Sequence, residues 1–284
     1  AAALTGLRIG TPVVAGGLDA ACGTLGAGVV QAGQTQEQGG QAGGMSLCMD
    51  TCRMDPALIL GAHVVPELWL LQGGTVGGGG AMNWFEREFG AEERALARKN
   101  GTNSFVELDR QAERISAGSE GMVFLPYLAG ERSPIWNAQA KGVFYGASFA
   151  TGRAHFARAV MEGVAYSLRH NLEVAEKAGA KAGVLRAMGG AANSRLWTQI
   201  KADVTGKTIE VPSSDTATAL GAAILAGMGT GVYESFAQAV ERTVQVRRVH
   251  MPNPENKSVY DARYAEYRSL YERLKPLMKG DSVQ

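Results

Sequence analysis

Cysteine and histidine are both scarce, at three and four residues in a chain of 284. Cys22, Cys48 and Cys52 are an odd, sparse set, which builds no disulfide framework and reads as thiols of a reducing cytoplasm. Cys48 and Cys52 stand four apart, but no second Cys/His pair sits at a spacing that would complete a metal site. His63, His155, His170 and His250 are scattered and form no HExxH pair, so no metal held by protein side chains is expected. Net charge is nearly absent as well. With 28 Lys and Arg against 27 Asp and Glu, the formal value is +1, and no broad field argues for nucleic acid or an anionic membrane as partner. No apolar run approaches the roughly 20 residues of a spanning helix. No basic-then-apolar leader opens the chain. Ala1 to Gly6 reads instead as the tail of a helix stopped by Gly6, as in an excised fragment.

What the chain has in excess is glycine. There are 38, nearly double the roughly 7% average usage. They are clustered rather than periodic, which excludes collagen and flexible-linker readings. Clustered glycine between apolar segments marks tight turns and close backbone approach to a ligand. The rest of the composition, 45% hydrophobic and 19% charged, is that of a globular protein.

Local patterning predicts a mixed α/β domain. Short strands are expected at 11–16, 28–35, 43–50, twice within 58–72, and at 123–126, 184–188 and 208–211, with a strand or turn at 142–148. Helices are expected at about 19–27, 82–89, 194–205, 217–228 and 255–278, with exposed charged helices across 91–117. The longest helical pattern covers 151–178, where Phe156, Val160, Val164, Leu168 and Leu172 recur every four residues and define one buried face.

Four features could carry chemistry. Gly16-Gly17-Leu18-Asp19 places an acid at a helix start, where the backbone dipole favours the anion. A plain N-cap is the alternative there. Gly39 to Gly44 forms a glycine-rich turn between two strands, either a simple hairpin or one that aims N–H groups at phosphate oxygens. Gln72 to Gly80 is a glycine tract that opens a helix and offers N–H donors to an anion. It is not a Walker A loop, because no Gly-Lys-Ser/Thr follows. Met188 to Ser194 joins a strand to a helix through residues small enough for a flat nucleotide to lie on the backbone, with Asn193 and Ser194 available for hydrogen bonds.

These residues resemble the FGGY carbohydrate kinase family, in its xylulose kinase-like branch. The segments are Gly10 to Asp19, Pro126 to Trp136, Gly142 to Ala147, His155 to Glu162, Gly189 to Ser194, Gln199 with Ala202 to Gly206, and Ala219 to Gly227. They follow the family order over nearly the whole chain. The resemblance implies an actin-like ATPase (ribonuclease H-like) domain, with a mixed sheet and flanking helices, that binds ATP with Mg²⁺ on its phosphates. It implies that Asp19 is the general base that takes the proton from a sugar hydroxyl as its oxygen attacks the γ-phosphate. It places the nucleotide contacts at Gly40, Gln41, Gly79, Asn83, Gly189, Gly190, Asn193 and Ser194. The expected partner is a sugar, a pentulose such as xylulose by the closest flavour. Homodimerisation, common among relatives, is an allied expectation, and the expected compartment is the cytoplasm.

By the same resemblance, residues 1–26 end the first kinase domain or an interdomain segment. Residues 27–245 form the second, nucleotide-binding domain, and 246–284 a helical tail. The sugar-binding first domain is absent, so this chain alone is expected to be inactive, because positioning is most of the catalysis. Three positions depart from the family pattern. Gly40-Gln41-Ala42-Gly43 carries an amide where relatives show a hydroxyl, Leu18 replaces a glycine, and Ala147 replaces a larger aliphatic residue. A non-enzymatic actin-like ATP-binding module and a kinase of another ketose or sugar-like molecule remain as alternatives.

Overall fold

A seven-stranded mixed sheet organises the chain, with strands and helices following one another in the order that the residue patterning sets. The computed structural model describes residues 2–214 and 216–278; Ala1, Asp215 and the end of the expected tail, 279–284, lie outside the described residues. A short helix α1 (Ala2–Thr5) ends at Gly6, and α2 spans Asp19–Gly26. The strands β1 (Gln34–Gly39), β2 (Gly43–Met49), β3 (Ile59–Ala62) and β4 (Trp69–Thr75) follow. Three helices come next, α3 (Gly79–Phe89), α4 (Ala91–Asn100) and α5 (Ser104–Ala112), then the small hairpin β5 (Val123–Leu125) and β6 (Val143–Tyr145). The long helix α6 (Arg153–Lys177) leads into β7 (Val184–Met188), α7 (Arg195–Thr205), β8 (Thr208–Pro212), α8 (Ala217–Gly229), α9 (Phe236–Thr243), β9 (Val246–His250) and α10 (Lys257–Leu274).

The strand order is β3-β4-β2-β1-β7-β8-β9. The pairs β1–β7 and β7–β8 are parallel and the others antiparallel. Alternate side chains serve opposite faces. Leu47, Leu71, Leu185 and Ile209 pack with Leu168 and Leu172 of α6. Cys48 and Leu70 face the other way and pack with Ala21 of α2. On that side Leu25 of α2 meets Ile224 of α8 and Val240 of α9. Helix α6 was expected to bury one stripe, and Val160, Val164, Leu168 and Leu172 are buried. It also buries Arg158 and Glu162, because α5, β5 and α10 cover its outer side. None of the described helices is long and apolar enough to cross a membrane.

Four expectations need correction. Residues 11–16 form no strand; Val13 is 94% exposed, and no strand ladder forms here, the Thr11 N–H donating instead to the Arg8 carbonyl in a local turn. The strand expected at 28–35 begins only at Gln34. Its side-chain Oε1 accepts from the N–H groups of Val30 and Gln31 and holds them in a turn, so Val29 enters the core from a loop. Helices α4 and α5 are not simply exposed, since Glu93, Ala97, Glu107, Leu108 and Ala112 are buried. The residues set apart as a helical tail, 246–284, open with β9, an edge strand of the main sheet that pairs antiparallel with β8.

Glu162 ties the layers around α6 together. It accepts from Arg158 Nε at 2.8 Å, Gly118 N at 3.0 Å, Ser119 Oγ at 2.7 Å and Tyr260 Oη at 3.1 Å. Arg158 also donates to the Ala112 carbonyl and to Tyr260 Oη. The pair is almost fully enclosed, and removing one partner leaves an uncompensated buried charge. Glu162→Ala is therefore expected to destabilise the fold by about 3–5 kcal/mol, read as a lowered urea midpoint.

Candidate functional site

Strands β1 and β7 run parallel with Gln38 opposite Met188, so the turns that leave their C-terminal ends emerge side by side. That edge of an α/β sheet is where ligands bind. The β1–β2 hairpin tip, residues 40–42, docks there on the start of α3. Gly79 N donates to the Gly40 carbonyl at 2.7 Å, and Gly80 N to the Gln41 carbonyl at 2.9 Å. The two amides that the glycine tract offered to an anion are thus occupied by the hairpin. A Cβ on Gly79 would stand 2.6 Å from the Gly40 oxygen, so this docking requires bare backbone. The amide side chain of Gln41, unusual in the sequence, accepts from Asn83 Nδ2 at 3.3 Å.

The β7–α7 turn closes on the same hairpin. Gly189 has φ +83°, and a Cβ there would lie 2.9 Å from the Gly39 carbonyl carbon. Gly190 is different: a Cβ on it would meet nothing within 4 Å. Beneath the hairpin, Lys201 Nζ of α7 is 2.6 Å from Glu37 Oε1 of β1, with both side chains buried. The same ammonium lies 5.2 Å from the Trp197 ring centroid. On the far side of the glycine tract, buried Glu131 accepts from Thr75 Oγ1 at 2.5 Å, Val76 N at 2.8 Å and Arg132 N at 2.7 Å. Burial raises its pKa against those bonds. It fixes the end of β4, from which the tract departs.

A cavity of about 430 Å³ opens between these turns, within the range of small-molecule sites. Its wall includes Gly40, Gln41, Gly79, Asn83, Gly190, Asn193 and Ser194, seven of the residues marked from the sequence. Gly189 stands behind Gly190, against the hairpin backbone. Asp19 is not in the wall. It is the first residue of α2, exposed, and its Oδ1 accepts from the adjacent Ala20 N at 2.8 Å. The N-cap position belongs to Leu18, so the capping alternative for Asp19 does not hold.

The opposite wall comes from α5, which the sequence did not mark. Asn103 caps this helix by accepting from Val106 N at 3.0 Å. Phe105, Val106, Leu108 and Asp109 then line the cavity. Met161 and Trp197 complete this apolar end, with Trp197 Nε1 donating to the Met161 carbonyl at 2.9 Å. The charge across 91–117 masked this wall; the Asn103 cap ahead of Phe105 and Val106 was its only legible signal. Ser194 Oγ accepts from Trp197 N at 2.9 Å as N-cap of α7, and its side chain favours the charged form of the Asp109 carboxyl. Asn193 Oδ1 accepts from Arg247 at 2.7 Å. Burial pushes the Asp109 carboxyl up to about 6; the Ser194 hydrogen bond opposes this, and nearby Glu113 adds to it. The cavity thus has a polar, glycine-walled end and an apolar end with one carboxylate. Among the described residues no group of three or more His, Cys, Asp or Glu is arranged to hold a metal ion.

Comparison with known proteins identifies the family of the chain. Residues 50–230 match the model of the FGGY family of carbohydrate kinases, C-terminal domain. The chain is 35% identical over 275 residues to the xylulose kinase of Staphylococcus epidermidis, covering 96% of this chain and 53% of that protein. It is 36% identical over 280 residues to the autoinducer-2 kinase of Yersinia pestis, covering 94% of this chain and 51% of that protein. The crystal structure of xylulose kinase from Rhodospirillum rubrum superposes with a TM-score of 0.86 at 33% identity, over 98% of this chain and 54% of that one. The chain spans about half the length of the relatives it matches.

Two outcomes are expected. Gly189→Ala should destabilise the protein by about 1–3 kcal/mol because of its backbone conformation, whereas Gly190→Ala should stay within about 0.5 kcal/mol; urea titration of both variants compares them. For Asp109 the folded pKa is raised above its ordinary value of 3.8 to about 6. The folded state therefore binds the extra proton between those values, and this group's contribution to stability falls as pH rises through that window. The stability of Asp109→Asn relative to the unsubstituted protein should accordingly be greater at pH 7.5 than at pH 4, measured by denaturation at both.

Proposed function

The chain belongs to the FGGY family of carbohydrate kinases and has its actin-like ATPase fold, and from that membership we propose that it is the nucleotide-binding half of an enzyme that transfers a phosphoryl group from ATP to a sugar hydroxyl. The observation that carries this reading is the two-ended cavity where β1 and β7 finish, with glycine backbone at one end and an apolar slot at the other. Adenine suits the slot between Gly190 and the Phe105–Val106 face. The polyphosphate suits the end walled by Gly40, Gly79 and Asn83. Bound ATP supplies the phosphoryl group. This chain's residues hold it in place, and in phosphoryl transfer positioning and charge stabilisation are most of the catalysis. Mg²⁺ in this reading arrives on the phosphate oxygens of the nucleotide.

Asp19 is the general base in this reading. Its carboxylate is exposed at the start of α2, at the positive end of that helix. It stands outside the nucleotide cavity, in keeping with a role toward the acceptor sugar rather than the donor. Residues 1–26 then belong to the side of the cleft that holds the sugar, and 27–245 to the nucleotide domain. A pentulose such as xylulose is the proposed acceptor, as the Staphylococcus epidermidis and Rhodospirillum rubrum relatives are xylulose kinases. Similar identity to an autoinducer-2 kinase favours a second reading, a kinase of another sugar-like molecule. The unpaired thiols of Cys22, Cys48 and Cys52 support a reducing, cytoplasmic setting.

Asp19→Asn in the full-length protein tests the mechanism. Turnover with xylulose should fall about 10²–10⁴-fold while ATP affinity stays unchanged, and the isolated chain 1–284 should show negligible turnover in the same coupled assay. Unchanged turnover in the variant would remove Asp19 from the chemistry.

A further inference from the structure

Asp109 lines the cavity at its apolar end, on α5, with no Lys or Arg paired to it among the described residues. The Ser194 hydroxyl, itself held in place by the Trp197 N–H, is the neighbour that favours the charged form of Asp109. Its charged neighbour, Glu113, lies one turn along the same helix and has the same sign. A carboxylate so placed is costly to desolvate and receives too few donors in return. It cannot serve the polyphosphate, which it would repel. The groups that reach Asp109 are those of a nucleoside. Phe105 and Val106 line the cavity together with Gly190 and Ala191, and a flat base held among them would present its edge to the Asp109 carboxylate. The donor that an adenine edge carries is its exocyclic amino group.

We propose that Asp109 is a base-specificity residue, whose carboxylate, oriented by Ser194, accepts a hydrogen bond from the exocyclic amino group of adenine. The inference rests on the nucleotide-site reading above and adds the group that selects adenine over a 6-oxopurine. A 6-oxopurine puts an acceptor oxygen where adenine has its donor, so a carboxylate rejects it by repulsion as well as by the lost bond. Asp109→Asn retains the shape of the side chain and supplies an N–H donor, so the preference should shift toward the 6-oxo base.

The test is calorimetric binding of ATP, ITP and 2′-deoxy-ATP to the full-length protein and to its Asp109→Asn and Asp109→Ala variants. The unsubstituted protein should prefer ATP over ITP by about 10–100-fold, the value of one hydrogen bond to a charged acceptor. Asp109→Asn should reduce that ratio at least tenfold, partly by binding ITP more tightly than the unsubstituted protein does, a gain that no folding defect produces. Asp109→Ala should reduce the ratio by weakening ATP alone. If both variants lose ATP and ITP affinity equally, Asp109 only positions Ser194 and the proposal fails. A changed ATP to 2′-deoxy-ATP ratio with a constant ATP to ITP ratio would assign the carboxylate to the ribose and also overturn it. If no nucleotide binds the unsubstituted protein, the nucleotide-site reading itself fails, and this inference with it.

Discussion

The architecture depends on one contact between two stretches of main chain. The β1–β2 hairpin tip presents carbonyl oxygens to the first amides of α3, and two N–H···O bonds join them with no side chain between. A helix start has unpaired donors and a positive dipole end, and a hairpin tip has carbonyls in need of donors, so each satisfies the other. The approach is too close for any Cβ on Gly79. Glycine clusters at 39–44 and 73–80 because the two segments meet there. Gly189 then seals the third side against the Gly39 backbone. The cavity is what remains open in front of this three-way junction.

Buried charges hold the junction from behind. Lys201 joins α7 to β1 through Glu37, and Glu131 clamps the end of β4 with two hydrogen bonds. Glu162 does the same for the shell around α6. Each carboxylate accepts from at least one other element, Glu37 from α7 alone, so each acts as a cross-link between segments far apart in sequence. Such groups are weak sources of net stability but strong constraints on which arrangement forms, since losing one partner strands the other in a low-dielectric interior. For a site that works by positioning, a fixed arrangement matters more than a large stability margin.

The electrostatic layout of the cavity follows from this construction. The junction supplies backbone dipoles, suited to spread negative charge. Helix α5 supplies an apolar face and the Asp109 carboxylate, suited to a neutral base. A ligand anionic at one end and flat and uncharged at the other matches both, and a nucleoside triphosphate has that form. Asp19 lies apart on α2, which separates the residue proposed for acceptor chemistry from the residues proposed to hold the donor.

The sequence by itself determined the periodic and the punctuating parts of this protein. The four-residue repeat of α6, the glycine turns at 39–44 and 189–190, Ser194 at the head of α7 and Asp19 at the start of α2 were all legible, because helix periodicity and turn chemistry are local. Seven of the eight nucleotide contacts inferred from family resemblance line one cavity, because each lies in a turn at a strand end or in the first turns of α3. Only the tertiary structure decided what those turns face. It gave the Gly79 and Gly80 amides to the hairpin, brought α5 across the cavity with Asp109 beside Ser194, and added β9 to the sheet edge. It also left 11–16 without a strand partner. The physical reason is common to all four: a hydrogen bond or a burial between residues tens of positions apart is settled by which segments meet, and local composition carries no record of the partner.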